Sequence, residues 1–281
     1  MDVYAVGDGM YHFDGSRWTP VVPLAEFVEY HDIIGFSASD IWVVGERIYP
    51  NPNPPPNFLD SALIIHYDGS QWRESQRMPA RGLWSMWGNS PTNIYAGSLD
   101  GKILRYDGSI WTLQQIRENM QIISLGGDGN ILFAGGSVTI SFPDTQMIYA
   151  NSGTGWYLVD QQLEGESFWD PRFGYSAIFS PGPGIIYSST WGIFKWENNY
   201  WSRIIQWGYA LRDIAGDRPD NVFVIGWEPT VFHWNGQDWQ RIAAAEQKMP
   251  PVTVLSGVWT DGNEVFIVGD DGWRGYVLHG K

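Results

Sequence analysis

Apolar residues along this chain recur in short runs separated by Gly, Pro, Asn, Asp and Ser. Examples are residues 3–7 (VYAVG), 41–45 (IWVVG) and 94–97 (IYAG). Short runs rich in β-branched and aromatic residues, bounded by turn residues, predict β-strands. No segment shows the apolar spacing of a long amphipathic helix. The pattern therefore predicts an all-β fold made of many short strands.

A second pattern is a repeated motif, aromatic-Asp-Gly-Ser-x-Trp, that follows these runs. Clear copies of the motif end at Trp18, Trp72 and Trp111. Degraded copies keep only the Trp, and these copies end at Trp156, Trp201 and Trp239. A period of roughly 40 residues with several strands in each period is typical of a β-propeller. We therefore predict a β-propeller.

The runs within one repeat predict the order of the strands in a blade. A run of small and apolar residues, such as 82–88 or 254–259, predicts the innermost strand. The Gly-ended run predicts the second strand, the run before Asp-Gly the third, and the run beginning with Trp the outermost. Asp-Gly predicts a tight hairpin turn, because Gly accepts a positive φ and Asp can bond the turn backbone. We expect the outer Trp to pack between neighbouring blades.

The second strand occurs seven times, which favours seven four-stranded blades in one domain, 1–281. The chain begins at a second strand and stops within a third, so we expect incomplete terminal blades, as in a piece of a longer protein. The alternative is six blades, with the strand at 252–259 completing the first blade. The repeat units are approximately 1–38, 39–90, 91–127, 128–181, 182–217, 218–259 and 260–281.

Three connections are longer than the repeat requires: 46–61, 137–145 and 160–172. The first is rich in Pro, which favours extended, polyproline-like backbone. Connections of these types open on one face of a propeller, where ligands usually bind. The alternative is that long surface loops are tolerated at little energetic cost.

Composition narrows the classes of partner. The chain has 31 acidic and 17 basic residues and a net charge of −14, which repels phosphate backbones and makes nucleic acid a poor partner. It has no cysteine, so disulfides and thiolate chemistry are excluded. No apolar run reaches the roughly 18 residues of a membrane span, and no signal peptide is present in these residues.

Motifs for catalysis are absent. There is no phosphate-binding loop, no His-x-x-x-His or His-Glu pair for zinc, and no Gly-x-Ser-x-Gly turn. Residues that recur at one repeat position are expected to be structural; these are His12, His66 and His233, and Asp14, Asp68 and Asp107. We therefore predict no catalytic residue, no metal and no cofactor. Calcium at Asp270-Asp271-Gly272 is the alternative.

Candidate binding residues lie outside the repeat consensus. Trp191, Trp227 and Trp273 each follow a second strand, where a regular turn needs only Gly and a polar residue. An exposed Trp often marks a contact or stacking surface. Arg274 and four acids, Glu46, Asp100, Glu228 and Asp270, are expected near the same connections. The alternative is that these rings pack over neighbouring loops.

The Asp-Gly-Ser-x-Trp units, each preceded by a Val-Gly-type strand, resemble the repeats of bacterial secreted and cell-surface β-propellers over nearly the whole chain. They are also similar to the Asp-box repeats of sialidase-like and photosystem-assembly-type propellers, with an Asp-to-Trp spacing of four instead of five. This resemblance implies a binding or scaffold propeller with a protein partner, at the cell envelope or outside the cell. Glycan binding is the first alternative, and a polysaccharide hydrolase or lyase with two rim carboxylates is the second.

Overall fold

A computed structural model describes residues 2–7, 9–21, 27–54, 58–138, 145–163 and 174–280. In these ranges the chain forms 26 strands and one four-residue helix, α1 (Ala243–Glu246). The strands are β1 (Val3–Val6), β2 (Met10–Phe13), β3 (Trp18–Val21), β4 (Val28–Ser37), β5 (Asp40–Pro50), β6 (Phe58–Tyr67), β7 (Trp72–Glu74), β8 (Leu83–Ser90), β9 (Asn93–Ser98), β10 (Lys102–Tyr106), β11 (Trp111–Gln115), β12 (Met120–Gly127), β13 (Leu132–Val138), β14 (Thr145–Asn151), β15 (Trp156–Leu163), β16 (Ala177–Gly182), β17 (Ile185–Ser189), β18 (Gly192–Glu197), β19 (Tyr200–Gln206), β20 (Leu211–Arg218), β21 (Asn221–Gly226), β22 (Val231–Trp234), β23 (Trp239–Arg241), β24 (Val254–Thr260), β25 (Val265–Asp270) and β26 (Gly275–Gly280).

The strands form seven antiparallel sheets, the blades of a β-propeller. Blades 2 to 6 each have four strands: β4–β7, β8–β11, β12–β15, β16–β19 and β20–β23. Within the described ranges, blade 1 (β1–β3) and blade 7 (β24–β26) have three. The seven-blade prediction, with incomplete terminal blades, is confirmed. The six-blade alternative is wrong, because β24 pairs with β25 in a sheet of its own.

Residue contacts divide the chain into two compact units, 1–125 and 126–281. The first unit holds blades 1 to 3, and its cores are formed between adjacent blades by residues such as Val43, Leu63 and Leu104. The second unit holds blades 5 to 7 and most of blade 4, and its cores include Phe133, Phe194 and Leu255. The boundary falls within β12.

The repeated Asp closes the hairpin between the third and fourth strands. In blade 2, Asp68 Oδ1 accepts hydrogen bonds from the backbone N–H groups of Ser70 (2.9 Å) and Gln71 (2.9 Å) and from the Ser70 hydroxyl (2.6 Å). These bonds stabilise the carboxylate and hold the pKa of Asp68 well below its usual range. Gly69 has a φ of 87°, which favours glycine. The consensus Asp is therefore structural, as predicted.

The outer-strand Trp of a blade packs against an aromatic residue on the second strand of the preceding blade. Within the first unit, Trp72 lies 5.8 Å from Tyr4 and Trp111 lies 5.7 Å from Trp42, between ring centroids. Within the second unit, the pairs are Trp201–Phe133 at 5.2 Å and Trp239–Tyr187 at 5.7 Å. All four contacts are edge-to-face, a favourable aromatic geometry. The expected packing of this Trp between blades is confirmed for these four pairs.

The Pro-rich insertion lengthens a hairpin instead of forming a separate polyproline segment. Strands β5 and β6 remain paired as far as Pro50 opposite Phe58. Much of 46–61 is therefore β-strand, and residues 55–57 lie outside the described ranges. Of the other two long connections, 137–145 and 160–172, residues 139–144 and 164–172 also lie outside the described ranges.

Candidate binding surfaces

The three predicted tryptophans all lie in connections between the second and third strands of blades in the second unit. Trp191 joins β17 to β18, Trp227 joins β21 to β22, and Trp273 joins β25 to β26. The positions agree with those expected from the repeat. Their environments differ: the indoles of Trp273 and Trp227 are exposed, and that of Trp191 is half-buried.

Trp273 is 94% exposed. Its turn is held from below by Asp271, whose Oδ1 accepts the backbone N–H groups of Trp273 (2.9 Å) and Arg274 (2.8 Å). The Tyr276 hydroxyl donates to Asp271 Oδ2 (2.7 Å), and these hydrogen bonds lower the pKa of Asp271. Asp270 accepts the N–H of Gly272 (2.8 Å) in the same turn. The carboxylates thus fix the backbone, and the turn presents the indole and the Arg274 side chain to solvent.

Trp227 is 44% exposed, and the Arg212 guanidinium carbon lies 5.7 Å from the centroid of its ring. Its backbone is fixed, because its N–H donates to the Ala210 carbonyl (2.9 Å). The next residue, Glu228, has a φ of 55° and accepts a hydrogen bond from the Tyr209 hydroxyl, which raises the pKa of Tyr209. Glu228 therefore helps to shape this connection, and the indole, guanidinium and phenol form a mixed aromatic and cationic surface.

Trp191 is half-buried, and its carbonyl accepts the N–H of Trp207 (3.0 Å). The residue before it, Thr190, is buried and accepts the N–H of Leu211 through its carbonyl (2.6 Å). This connection is thus tied to the start of the next blade. Of the three predicted tryptophans, Trp191 presents less surface than Trp273 and Trp227.

The two predicted acids of the first unit are held by local partners. Asp100, in the β9–β10 turn, accepts the Ser98 hydroxyl and pairs with the Lys102 ammonium, each at 2.5 Å. Glu46 does not lie in a connection, contrary to expectation. It lies within β5 and is buried, because the insertion extends the β5–β6 hairpin past the usual turn. Neither acid is therefore presented as a free carboxylate on a loop.

Glu46 belongs to a cluster that the sequence patterns did not reveal. Glu29, His31 and Glu46 each place one ligand atom within 4.8 Å of the others. His31 Nε2 lies 3.3 Å from Glu46 Oε1, and its ring stacks on Trp84 with a centroid distance of 4.6 Å. Burial lowers the pKa of His31, and burial together with the nearby Asp60 raises that of Glu46.

These three residues offer nitrogen and oxygen ligands of the kind that zinc accepts. The prediction that no His-Glu pair exists for a metal therefore missed this set. The His31–Glu46 hydrogen bond and the stacking on Trp84 also account for the arrangement by themselves. The signal was present as Glu29-x-His31, because alternate residues share one face of a strand. Only the register Glu29↔Glu46 brings the third group to them.

Comparisons with known proteins identify structures of similar fold. No protein-family model and no curated protein matches the chain. Among solved structures, the chain is similar to YCF48 bound to D1 peptide, with a TM-score of 0.67 and 15% identity over 99% of this chain and 87% of that one. It is also similar to YCF48 from Cyanidioschyzon merolae, with a TM-score of 0.62 and 14% identity over 99% of this chain and 90% of that one. A third similar structure is the WD40 domain of Neurospora crassa Pan2, with a TM-score of 0.62 and 10% identity over 98% of this chain and 84% of that one. At such identities the likeness shows the fold alone, a β-propeller.

Among the residues that the structure describes, no helix has the length and apolar composition of a membrane span.

Proposed function

We propose that this protein is a non-catalytic β-propeller that binds a protein or peptide partner through the aromatic connections of its second unit. The observation that carries the proposal is Trp273, a 94% exposed indole on a turn fixed by hydrogen bonds and followed by Arg274. Trp and Arg are enriched among the residues that dominate the energy of protein–protein interfaces. A rigid turn lowers the entropic cost of burying the indole on binding.

Trp227 and Arg212 add a second contact of the same character. A guanidinium over an aromatic ring keeps both groups oriented before a partner arrives. The net charge of −14 favours a partner that carries a net positive charge overall, because opposite net charges speed encounter. One propeller of similar fold supports this class of function: YCF48, whose structure was solved bound to D1 peptide.

The predicted acids support a non-catalytic role, because their local bonds account for them. Asp100 is paired with Lys102, Asp270 caps the turn before Trp273, and Glu228 accepts from Tyr209. Hydrolysis of a polysaccharide would need two carboxylates facing one substrate, one of them protonated. Glu46 has a raised pKa, but it contacts His31 in the interior of an extended hairpin.

We also propose a location at the cell envelope or outside the cell, which the resemblance of the repeats supports. The test is fractionation of the native host with an antibody against this chain. Detection only in the cytoplasm would contradict the location without affecting the binding proposal.

The binding proposal is tested by affinity capture from the native host with the wild type, Trp273→Ala and Trp227→Ala. Trp84→Ala is the matched control, since its ring is also exposed but lies in the first unit. Loss of one specific protein with the first two variants, and its retention with Trp84→Ala, is the expected result. Equal capture by all four proteins would overturn the proposal. A parallel glycan array tests the alternative, because an exposed Trp beside polar groups also suits a sugar ring.

A further inference from the structure

Blade 2 places two carboxylates directly opposite each other on neighbouring strands. Glu29 in β4 pairs with Glu46 in β5, and Glu46 is buried. Like charges in directly opposed positions destabilise a sheet. The guanidinium of Arg81 lies near enough to act on Glu46, but its Nε donates to both oxygens of Asp60 (3.1 Å each). Its charge is therefore shared with a third carboxylate, and the opposed pair lacks a cation of its own among the described residues.

A β-bulge in β4 aims an imidazole at these carboxylates. The register of β4 against β5 shifts between Tyr30 and Asp32, so His31 is an extra residue on its strand. Bulges redirect side chains and are frequent beside functional sites. His31 stacks on the ring of Trp84, which fixes the plane of the imidazole, and its Nε2 points toward Glu46. Two carboxylates and one imidazole nitrogen thus converge on one point.

The distances within this cluster match a zinc site. Zinc binds His nitrogen at about 2.0–2.1 Å and carboxylate oxygen at about 2.0–2.2 Å, so two of its tetrahedral ligands lie about 3.3–3.5 Å apart. His31 Nε2 and Glu46 Oε1 are 3.3 Å apart, which is longer than the usual N–H···O hydrogen bond of about 2.9–3.0 Å. Glu29 offers its oxygen within 4.8 Å of both atoms, and its side chain is exposed, so rotation can bring it closer.

The backbone of blade 3 leaves room for this arrangement. Gly82 lies just before β8, and a Cβ at this position would overlap Glu46 Oε2. A glycine here therefore allows Glu46 to keep its position beside His31. The exposed side chains of Glu29 and Trp84 border the cluster on its solvent side. An ion can reach the ligands from that side.

We propose that Glu29, His31 and Glu46 bind a zinc ion. Three protein ligands leave one tetrahedral position for water. The divalent charge removes the repulsion between the two opposed carboxylates, which the hydrogen bond and the stacking of His31 do not. Calcium and magnesium prefer sets made of oxygen ligands, so the imidazole favours zinc over both. The site lies in the first unit and is separate from the connections that carry Trp227 and Trp273.

The experiment is isothermal titration calorimetry of the whole protein with zinc chloride at neutral pH. The protein carries no affinity tag and is first freed of metal with a chelator. We expect saturable binding of one zinc ion per chain, and no competition from calcium or magnesium at the same concentration. No saturable binding of zinc would overturn the inference. Equal binding of zinc and calcium would also overturn it, because the net charge of −14 attracts any divalent cation.

Three variants locate the ion. His31→Asn and Glu46→Gln should each lower the affinity for zinc at least about tenfold, since even the loss of a residue that only supports a ligand costs about 10–100-fold. His279→Asn is the matched control. His279 Nε2 lies 3.2 Å from Glu264, a similar pair that belongs to no three-ligand group in the described part of the chain. Weaker binding by His279→Asn, with unchanged binding by His31→Asn, would contradict the site.

Thermal melting of Glu46→Gln separates metal binding from a purely structural role. Without zinc, this variant should melt at or above the temperature of the wild type, because it removes one of two opposed charges. Zinc should raise the melting temperature of the wild type, since a ligand of the native state stabilises it, and should leave that of Glu46→Gln unchanged. If Glu46→Gln instead melted well below the wild type and still gained stability from zinc, Glu46 would only pack the hairpin and the inference would fail.

Discussion

Replacing Asp213 with Asn should change how the stability of this protein depends on pH. Asp213 lies at a bulge in β20, the first strand of blade 6. Its Oδ1 accepts the N–H of Ile214 (2.8 Å), and its Oδ2 accepts the N–H of Val258 (2.8 Å) in the first strand of blade 7. Burial raises the pKa of this carboxyl to about 6, because the loss of hydration outweighs the two hydrogen bonds that lower it.

The sign follows from where each state binds the proton. An unfolded Asp titrates near a pKa of 3.8, and folded Asp213 titrates near a pKa of about 6. Between these values the native state holds the proton and the unfolded state has lost it. The contribution of Asp213 to the free energy of unfolding is therefore fully present below about pH 4. It falls as the pH rises toward 6 and is absent at higher pH. At 1.36 kcal/mol per pKa unit the fall is about 3 kcal/mol at most, and residual contact with solvent reduces it.

The Asp213→Asn side chain would carry no charge at any pH in this range, but it has only one oxygen for the two N–H donors. The variant should therefore be less stable than the wild type at pH 4, by about 1–3 kcal/mol. By pH 7 this deficit should shrink by about 2–3 kcal/mol, because only the wild type then carries a desolvated carboxylate. The measurement is urea unfolding followed by Trp fluorescence at both pH values. Low protein concentration is needed, since the isoelectric point is near 4.6.

A control of opposite sign is Asp261→Asn. Asp261 accepts the N–H groups of Asn263 (2.9 Å) and Glu264 (3.0 Å) in an exposed turn, and these bonds lower its pKa. Its contribution is present above the unfolded pKa and is lost as pH falls. This variant should lose more stability at pH 7 than at low pH. A stability difference between wild type and Asp213→Asn that did not change from pH 4 to pH 7 would refute the reasoning.

Three further predictions concern the packing of the blades and the turn that Asp68 closes. Trp111→Ala should lower the free energy of unfolding by about 3–5 kcal/mol, because its ring is 3% exposed between two blades, whereas Trp273→Ala should change it by less than about 0.5 kcal/mol. Gly45→Ala should lower the melting temperature, because a Cβ at Gly45 would overlap a backbone carbonyl. Gly7→Ala should leave the melting temperature unchanged, because a Cβ at Gly7 meets nothing within 4 Å. Asp68→Ala should lower the melting temperature more at pH 7 than near pH 2, because its lowered pKa makes its turn bonds depend on ionisation.

Much of the fold could be predicted because the relevant interactions are local. The bonds of Asp68 reach only two and three residues ahead, and Gly69 adopts its positive φ within the same turn. The repeat then orders the strands, since neighbours in the chain are neighbours in each sheet. The connections that carry Trp227 and Trp273 could be located for the same reason. Their exposure could not, because it depends on what the neighbouring blade places beside each ring.

The candidate clusters could not be predicted, because they depend on register and on packing between blades. Glu46 was expected in a loop, and it lies in a strand because β5 and β6 continue pairing to Pro50. That extension places Glu46 opposite Glu29 and beside His31. A change in register of one residue would have turned these side chains to opposite faces.

The sequence by itself determined the turns, the strand order and the number of blades, since each follows from residues that are close along the chain. Only the tertiary structure decided which side chains meet. Phe223 in blade 6 and Gly280 in blade 7 line one cleft although nothing in their sequence positions joins them. Asp213 becomes a half-buried carboxyl with a raised pKa only when the first strand of the next blade packs beside it and supplies the N–H of Val258. Contacts of this kind depend on how twisted sheets pack face to face, and residue order encodes that packing only through the assembled fold.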